Sequence, residues 1–276
     1  MVRCGSLKFE DLNHACRGLL VTTAEVLNQS GLRYVIAGGW VPILSEPNHP
    51  SLRHPGTRDV DVLMIDELDA VRSAAKELLS AGFRPSAKHE FQLLKNASVG
   101  EREFVFNIDL MHPYEADGTP EMFSDIFDLG VNDAYDPKGS RFMKSIAFKS
   151  AAIVYEEGLF SNVSVEDYDL GGEYRTVSVP ILSPAAAILS KCESVKTPKR
   201  TRDAFDIYYI LSGNAGAVHA MELKQLSSAF PQVASQMVHL KDFLERSPDK
   251  YDANVSMHSG FSVEGAAAKS LALLFN

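Results

Sequence analysis

Three aspartates lie within apolar segments of the sequence, at a spacing that could support chemistry. Asp59 and Asp61 belong to the segment DVDVLM, and Asp109 belongs to FVFNIDLM. Residues two apart on a strand point to the same face, so the first two carboxylates would stand about 7 Å apart. Such a pair can bind a hard divalent cation together. The alternative for an isolated pair is two solvent-facing strand acids.

Asp109 decides between these alternatives if its strand neighbours that of Asp59 and Asp61. A third carboxylate would complete a two-metal site, in which one ion activates a hydroxyl nucleophile and the other holds a triphosphate. Otherwise Asp109 is a hydrogen-bonded or strand-end acid. Gly38 and Gly39 end the apolar run YVIA. Residues without a Cβ let backbone N–H groups approach phosphate at a helix start, although glycines often mark only a turn.

Composition sets the limits within which this chemistry must fit. The chain has 276 residues, 45% of them apolar, which suits one large domain or two modest ones. The N-terminus lacks the apolar block of a signal peptide, and no apolar run approaches the length of a membrane span. We therefore expect a cytoplasmic protein with no membrane partner. The cysteines form no CxxC pair, so we expect buried thiols rather than disulfides or a zinc site: Cys4, Cys16 and Cys192.

Charge is distributed unevenly along the chain, whose formal net charge is −9. Residues 99–136 contain ten acids and one arginine. Residues 191–202 contain five basic residues and one acid, a local balance of +4. The net negative charge of the chain therefore does not exclude a nucleic-acid substrate, whose phosphates could bind to this basic segment.

Hydrophobic periodicity predicts an α/β or α+β core, with a mixed sheet flanked by helices. Helices are predicted over 9–29, over 39–46 as a brief helix, and over 66–82 with Asp66 as the N-cap. Strands are predicted over 33–39, 59–65, 89–95, 103–112, 147–157 and 174–182. The acidic segment 114–140 is predicted to hold little regular structure beyond one helical turn near 121–130.

A helical C-terminal part is predicted from Ser183 onward, because Ser183 suits an N-cap and Pro184 the first helical position. The predicted domains are 1–182 and 183–276. Helices are predicted over 183–195, 201–213, 217–230, 233–247 and 263–276.

Taken together, Gly38–Gly39, Asp59-Val60-Asp61 and Asp109 resemble the signature of the polymerase-beta-like nucleotidyltransferases. Within that superfamily the chain resembles the AbiEii/AbiGii-type toxin nucleotidyltransferases, on VPILSPAAAILSKCESV and KRTRDAFDIYYIL. The resemblance covers residues 30–212 except the acidic stretch 114–140, and it leaves out the last sixty residues. It implies the nucleotidyltransferase fold, two Mg²⁺ ions and an NTP substrate.

The resemblance also implies a role for each matched position. Asp59 and Asp61 would bind both ions, Asp109 would complete the nucleophile-activating one, and Lys191 would stabilise developing charge. Seven further positions would contact the nucleotide, add positive charge near it or, in the case of Asp203, orient the nucleotide or a basic side chain: Gly38, Gly39, Thr57, Lys199, Arg200, Arg202 and Asp203. The alternative for the basic residues is a solvated charge run that precedes a core helix.

The resulting hypothesis is a Mg²⁺-dependent enzyme that moves NMP from an NTP to a hydroxyl. The resemblance implies an RNA acceptor such as tRNA, or a protein, and a toxin-like or phage-defence role with a cognate antitoxin. Two rivals stay open. One is modification of a small antibiotic-like molecule, because Gly39-Trp40 also resembles the lincosamide-modifying branch, and the other is a non-catalytic NTP-binding module.

Four further residues near these motifs have simpler expectations. Trp40 is predicted to be core, with stacking on a base as the alternative. His49 and His54 lie in the spacer before Asp59, and we expect surface loop histidines there rather than metal ligands. His112 receives no role.

Overall fold

The computed structural model describes residues 9–65, 68–113, 123–128, 142–148 and 151–276. Within these ranges nine strands form one mixed sheet, and helices make up most of the C-terminal part. The predicted fold class, a mixed sheet flanked by helices and followed by a helical part, is confirmed. The strands are β1 (Tyr34–Ala37), β2 (Asp59–Met64), β3 (Arg84–Pro85), β4 (Gln92–Val99), β5 (Arg102–Pro113), β6 (Phe123–Asp128), β7 (Phe142–Phe148), β8 (Phe160–Tyr168) and β9 (Tyr174–Leu182).

The strand order is β3-β4-β5-β2-β1-β9-β8, and β7 pairs with both β5 and β6. β2 runs antiparallel to β1 and parallel to β5, while β4 runs antiparallel to β5. All four residues of β1 are buried, as expected for a strand in the middle of a covered sheet. The centre of the sheet is thus formed by β5, β2 and β1.

The chain forms two compact units. The first, which we call the sheet unit, takes Met1–Gly38, Thr57–Ala152 and Ser161–Ile181, and the second, the helical unit, takes Gly39–Gly56, Ile153–Phe160 and Leu182–Asn276. The chain goes from the sheet unit to the helical unit between Ile181 and Leu182, beside the predicted boundary at 182. The segments 39–56 and 153–160, which the prediction placed in the first domain, belong to the helical unit.

Two helices of the sheet unit are α1 (Leu12–Ser30) and α3 (Leu68–Ser80), which contact each other. The Asp11 side chain accepts a hydrogen bond from the His14 N–H at 2.8 Å, and Gly31 ends α1 with a φ of 72°. This is a capped helix with a left-handed glycine stop, as the sequence predicts. Asp66, the predicted N-cap of α3, lies outside the described residues.

The helical unit is built around helices that follow Ser183. The Ser183 side chain accepts a hydrogen bond from the Ala186 N–H at 3.2 Å, and Pro184 opens the helix, which confirms the predicted start. The helices of this unit are α2 (Trp40–Ser45), α5 (Pro184–Lys191), α6 (Thr201–Ser212), α7 (Gly216–Ala229), α8 (Pro231–Arg246), α9 (Pro248–Ser259) and α10 (Ala266–Phe275).

Several elements differ from the prediction. The expected helical turn near 121–130 is wrong, because Phe123–Asp128 pairs with β7 and buries Ile126, so sheet pairing overrides local preference. The expected strand over 147–157 is also wrong beyond Phe148, since Ala151–Glu156 forms a helix (α4) that the Gly158 turn ends. Strand β8 and helix α9 have no counterpart among the predicted elements.

Other expectations about burial are confirmed. Cys16, Cys192 and Trp40 are each at most 2% exposed, while Cys4 lies outside the described residues. In the described ranges we find no helix with the length and apolar character that a membrane crossing demands.

Candidate active site

Asp61 and Asp109 are register partners on the adjacent parallel strands β2 and β5. Asp59, two residues before Asp61, stands opposite Asn107, two residues before Asp109. Register partners of neighbouring strands share a face of the sheet at a strand spacing of about 4.8 Å. The three carboxylates therefore lie on one face, as the two-metal hypothesis requires of them.

The residues between these acids explain why β2 and β5 accept them. Val60 and Val62 are fully buried, as are Ile108 and Leu110 on the neighbouring strand. Apolar and acidic positions thus alternate in step on both strands, and the acids are only partly buried. The period of two puts the apolar side chains in the core and the carboxylates on the opposite face.

Gly38 lies against the carboxylate of Asp61. Its φ is 68°, a left-handed conformation that favours glycine, and a Cβ built there would stand 1.8 Å from Asp61 Oδ2. No side chain fits in that space without displacing the carboxylate. The first glycine of the pair is therefore required by the contact with Asp61 as well as by the turn.

Thr57 holds the first carboxylate. Its hydroxyl donates a hydrogen bond of 2.7 Å to Asp59 Oδ1, and the residue is 2% exposed. A buried hydroxyl has few alternative orientations, so the segment just before β2 fixes the Asp59 carboxylate. The structure thus shows Thr57 in contact with the Asp59 carboxylate, and its predicted contact with the nucleotide stays a prediction.

Two side-chain amides hold the third carboxylate, and the sequence analysis assigned no role to either. Gln92 Nε2 donates to Asp109 Oδ1 at 2.9 Å, and Asn107 Nδ2 donates to the same oxygen at 2.7 Å. Asn107 precedes Asp109 by two residues, a spacing that already signals a shared face. Gln92 carries no such signal, because only the antiparallel register of β4 with β5 brings it opposite Asp109.

The donor set has the chemistry that Mg²⁺ prefers, namely carboxylate oxygens on rigid strands. As placed, however, no group of three or more histidine, cysteine, aspartate or glutamate side chains in the described residues is arranged to hold a metal ion. The two-metal site therefore stays a prediction.

The remaining predicted site residues belong to the helical unit. Gly39 precedes α2 as its N-cap, with a φ of −70°. Lys199 and Arg200 are exposed at the start of α6. Their predicted contacts with phosphate stay predictions.

Lys191 is buried in an ion cluster rather than exposed. Its ammonium lies 3.1 Å from Asp203 Oδ1 and 2.9 Å from Asp206 Oδ2, and Asp206 is fully buried. Burial alone would lower the pKa of Lys191, but the two carboxylates outweigh burial and raise it above its ordinary value. Ser194 also donates to Asp203 Oδ2, at 2.6 Å. Lys191 therefore joins the end of α5 to α6.

Asp206 is held by further side chains of the same unit. His54 Nε2 lies 3.1 Å from Asp206 Oδ1, and Arg202 Nε lies 3.9 Å from Oδ2. Burial would raise the pKa of the Asp206 carboxyl, but Lys191, His54 and Arg202 outweigh it and hold that pKa below its ordinary value. The basic-Asp-x-x-Asp helix thus directs its second aspartate into the helical unit.

The surface interpretation of His54 is wrong, because its side chain is 5% exposed. His54 Nδ1 accepts the Gly56 N–H at 3.1 Å, and Arg202 Nη1 donates to the Gly56 carbonyl at 3.1 Å. Both polar groups of Gly56 are therefore held by residues tied to Asp206. Gly56 has a φ of 93°, which favours glycine at this point.

His49 anchors the earlier part of the same spacer. Its Nδ1 accepts the N–H groups of Ser51 and Leu52 at 3.2 and 2.9 Å. Its Nε2 lies 3.1 Å from the carbonyl of Tyr209. This arrangement requires the Nε2–H tautomer, because Nδ1 must accept. The spacer histidines serve as hydrogen-bonding anchors within the helical unit.

Sequence comparison finds no protein-family model and no curated protein that matches this chain. Among solved structures, the chain is similar to the crystal structure of JHP933 from Helicobacter pylori. The two share 10% identity over 97% of this chain and 90% of that chain, with a TM-score of 0.44. A likeness at that level assigns neither a family nor an activity to this chain.

Proposed function

We propose that this protein is a Mg²⁺-dependent nucleotidyltransferase that resembles the polymerase-beta-like superfamily. One observation carries the proposal. Asp61 and Asp109 are in register on adjacent parallel strands, with Asp59 on the same face and Gly38 packed against Asp61. Acids aligned on neighbouring strands repel one another unless cations or hydrogen bonds stabilise them. A site for divalent cations gives a reason for this alignment.

In the proposed reaction, a hydroxyl oxygen of the acceptor attacks the α-phosphorus of an NTP. The new oxygen–phosphorus bond forms as the bond from the α-phosphorus to the bridging oxygen breaks, pyrophosphate leaves with that electron pair, and the hydroxyl proton is released to solvent. Bound Mg²⁺ would neutralise the triphosphate and lower the pKa of the attacking hydroxyl. Asp59, Asp61 and Asp109 would hold it, while Thr57 keeps the first carboxylate oriented.

The roles that the resemblance implies for the other residues and partners have less structural support. Lys191 already has two carboxylate partners within its own unit, which supports a role in stabilising that unit. Lys199 and Arg200, being exposed, suit contact with phosphate of the NTP or of an RNA acceptor. An antitoxin partner and an RNA acceptor rest on the resemblance alone.

The decisive experiment incubates the full chain with each α-³²P-labelled NTP, Mg²⁺ and total RNA. Asp59→Asn and Asp61→Asn remove one carboxylate each with little change of shape. Asp69→Asn is the matched control, because the Asp69 side chain on α3 is 94% exposed. We expect label in RNA with the unchanged chain and with Asp69→Asn, and none with the two site variants.

The other outcomes separate the rivals. Label on the protein itself would make a protein the acceptor. Label on an aminoglycoside or lincosamide alcohol, with RNA unmodified, would favour the small-molecule enzyme. Magnesium-dependent NTP binding in calorimetry without any transfer, across all acceptors, would contradict the proposal and favour a binding module.

A further inference from the structure

The side-chain amides of Gln92 and Asn107 both contact the Asp109 carboxylate, an arrangement that the proposed reaction does not by itself require. Gln92 and Asp109 are register partners on the antiparallel strands β4 and β5, and Asn107 stands on the face of β5 that carries Asp109. Gln92 Nε2 and Asn107 Nδ2 donate to the same atom, Asp109 Oδ1, at 2.9 and 2.7 Å. Two donors from two strands thus converge on one carboxylate oxygen.

Such convergence fixes the carboxylate in orientation. The terminal torsion of an aspartate is broad, so a single strand position does not determine where its oxygens point. Two N–H donors on Oδ1 restrict that torsion, and both donors are themselves held in the paired strands β4 and β5. The orientation of the Asp109 carboxylate is therefore set by side chains from two strands, β4 and β5.

The chemistry of the donors suits a carboxylate that binds a cation. An amide satisfies the oxygen without bringing a positive charge, whereas a lysine or arginine would compete with a divalent ion for the same carboxylate. The Lys191 cluster shows the other solution in the same chain, where an ammonium holds two buried aspartates. Gln92 and Asn107 thus hold Asp109 with neutral donors, whereas Lys191 holds Asp203 and Asp206 with a charged one.

We propose that Gln92 and Asn107 are positioning residues that fix the orientation of the Asp109 carboxylate as a ligand for a divalent cation. The inference rests on the proposed function, because that function supplies the reason for a cation at Asp109. The two hydrogen bonds to Asp109 do not depend on which acceptor the enzyme uses. Outer hydrogen-bond partners of metal ligands commonly change metal affinity by about 10- to 100-fold when they are removed.

The test measures Mn²⁺ binding to the full chain by the electron paramagnetic resonance signal of free Mn²⁺, without nucleotide. Gln92→Met and Asn107→Leu keep the approximate size of the side chains and remove the donors. Gln225→Met, on the exposed face of α7, is the matched control. We expect Mn²⁺ to bind about 10- to 100-fold more weakly to both site variants than to the unchanged chain. The control should bind Mn²⁺ with the affinity of the unchanged chain.

A double substitution separates positioning from general structural support. In an Asp109→Asn background, Gln92→Met has no further effect on Mn²⁺ affinity if it acts through Asp109. A thermal melting curve for each variant checks that the fold is kept. Should Gln92→Met misfold, Asn107→Leu carries the same test from the other strand.

The outcomes for the two proposals differ. Transfer of NMP by the unchanged chain, together with equal Mn²⁺ affinity in Gln92→Met, overturns the positioning role and leaves the enzyme. Mn²⁺ binding that depends on Gln92, without transfer to any acceptor, keeps the positioning role and overturns the enzyme. No Mn²⁺ binding by the unchanged chain overturns the positioning role outright.

Discussion

Asp61 and Asp109 stand side by side on two parallel strands, in register, although 47 residues separate them along the chain. Each follows a buried apolar residue of its strand, so both carboxylates emerge on the same face. Neither position can be moved by one residue without turning its side chain into the core. Their alignment is the relationship on which the proposed chemistry depends.

Because these two carboxylates would act as one unit, we expect their removal to be non-additive. Asp61→Asn and Asp109→Asn should each reduce NMP transfer by at least about 100-fold, and the double variant should be little worse than either. Transfer rates measured at saturating Mg²⁺ and NTP test this. Losses that multiply in the double variant would contradict a shared site.

Gly38→Ala is expected to disturb the site and not only the turn. Gly100→Ala is a matched control, since Gly100 has a φ of 59° and nothing within 4 Å of a built Cβ. The control should lose about 1–2 kcal/mol of unfolding free energy through its backbone alone. Gly38→Ala must also displace the Asp61 carboxylate, so transfer should fall by about 100-fold. Equal transfer rates in the two variants would disprove the contact's role.

Thr57→Val removes the hydroxyl that donates to Asp59 and keeps the side-chain shape. We expect transfer to fall by about 10- to 100-fold, with Thr57→Ser close to the unchanged chain because its hydroxyl is retained. Steady-state rates and melting midpoints should be compared for both. If valine and serine behave alike, Asp59 needs no such donor.

Lys191→Met is expected to destabilise the protein. It leaves Asp203 and Asp206 buried without their ammonium partner, which commonly costs about 3–5 kcal/mol. Lys199→Met, at an exposed position, should stay within about 0.5 kcal/mol of the unchanged chain. Denaturant unfolding followed by circular dichroism measures both. Equal stabilities would return Lys191 to a role in binding alone.

The pH dependence of this cluster follows from its shifted groups. Since the pKa of the Asp206 carboxyl is held below its ordinary value of 3.8, its contribution is present above that pH and lost as pH falls further. Since the pKa of Lys191 is raised, its contribution is present below 10.5 and lost as pH rises through the folded pKa. The cluster therefore stabilises the unit across the neutral range.

His49 should make the protein sensitive to mild acid. Burial lowers its pKa from 6.5, and protonation of Nδ1 would oppose the N–H groups of Ser51 and Leu52. Burial also lowers the pKa of His258. Because the unfolded chain binds these protons more readily, stability should be present above about pH 6.5 and fall below it.

Melting midpoints at about pH 7.5 and about pH 5.5 test the role of His49. The unchanged chain should lose more stability over this interval than His49→Ala, which has no imidazole to protonate. His239→Ala, on α8, is the control in the same unit, and it should keep the pH dependence of the unchanged chain. An equal loss of stability over this interval in the unchanged chain and in His49→Ala would contradict this assignment.

Some of the fold and the site can be predicted from the sequence, because local patterns carry them. The alternation of apolar residues with Asp59, Asp61 and Asp109 indicates two half-buried strands, and the period of two assigns the faces. Ser183-Pro184 predicts a helix start through its own capping chemistry. The helical turn expected near 121–130 fails, since pairing with β7 is not visible in the local sequence.

By itself, then, the sequence determined on which face of its strand each candidate carboxylate lies, because local periodicity sets the direction of a side chain. Only the tertiary structure decided that Asp109 pairs with Asp61, that Gln92 reaches Asp109, and that Lys191 and His54 converge on Asp206. Those contacts join residues far apart in the chain, and strand pairing and burial, which are long-range effects, bring them together.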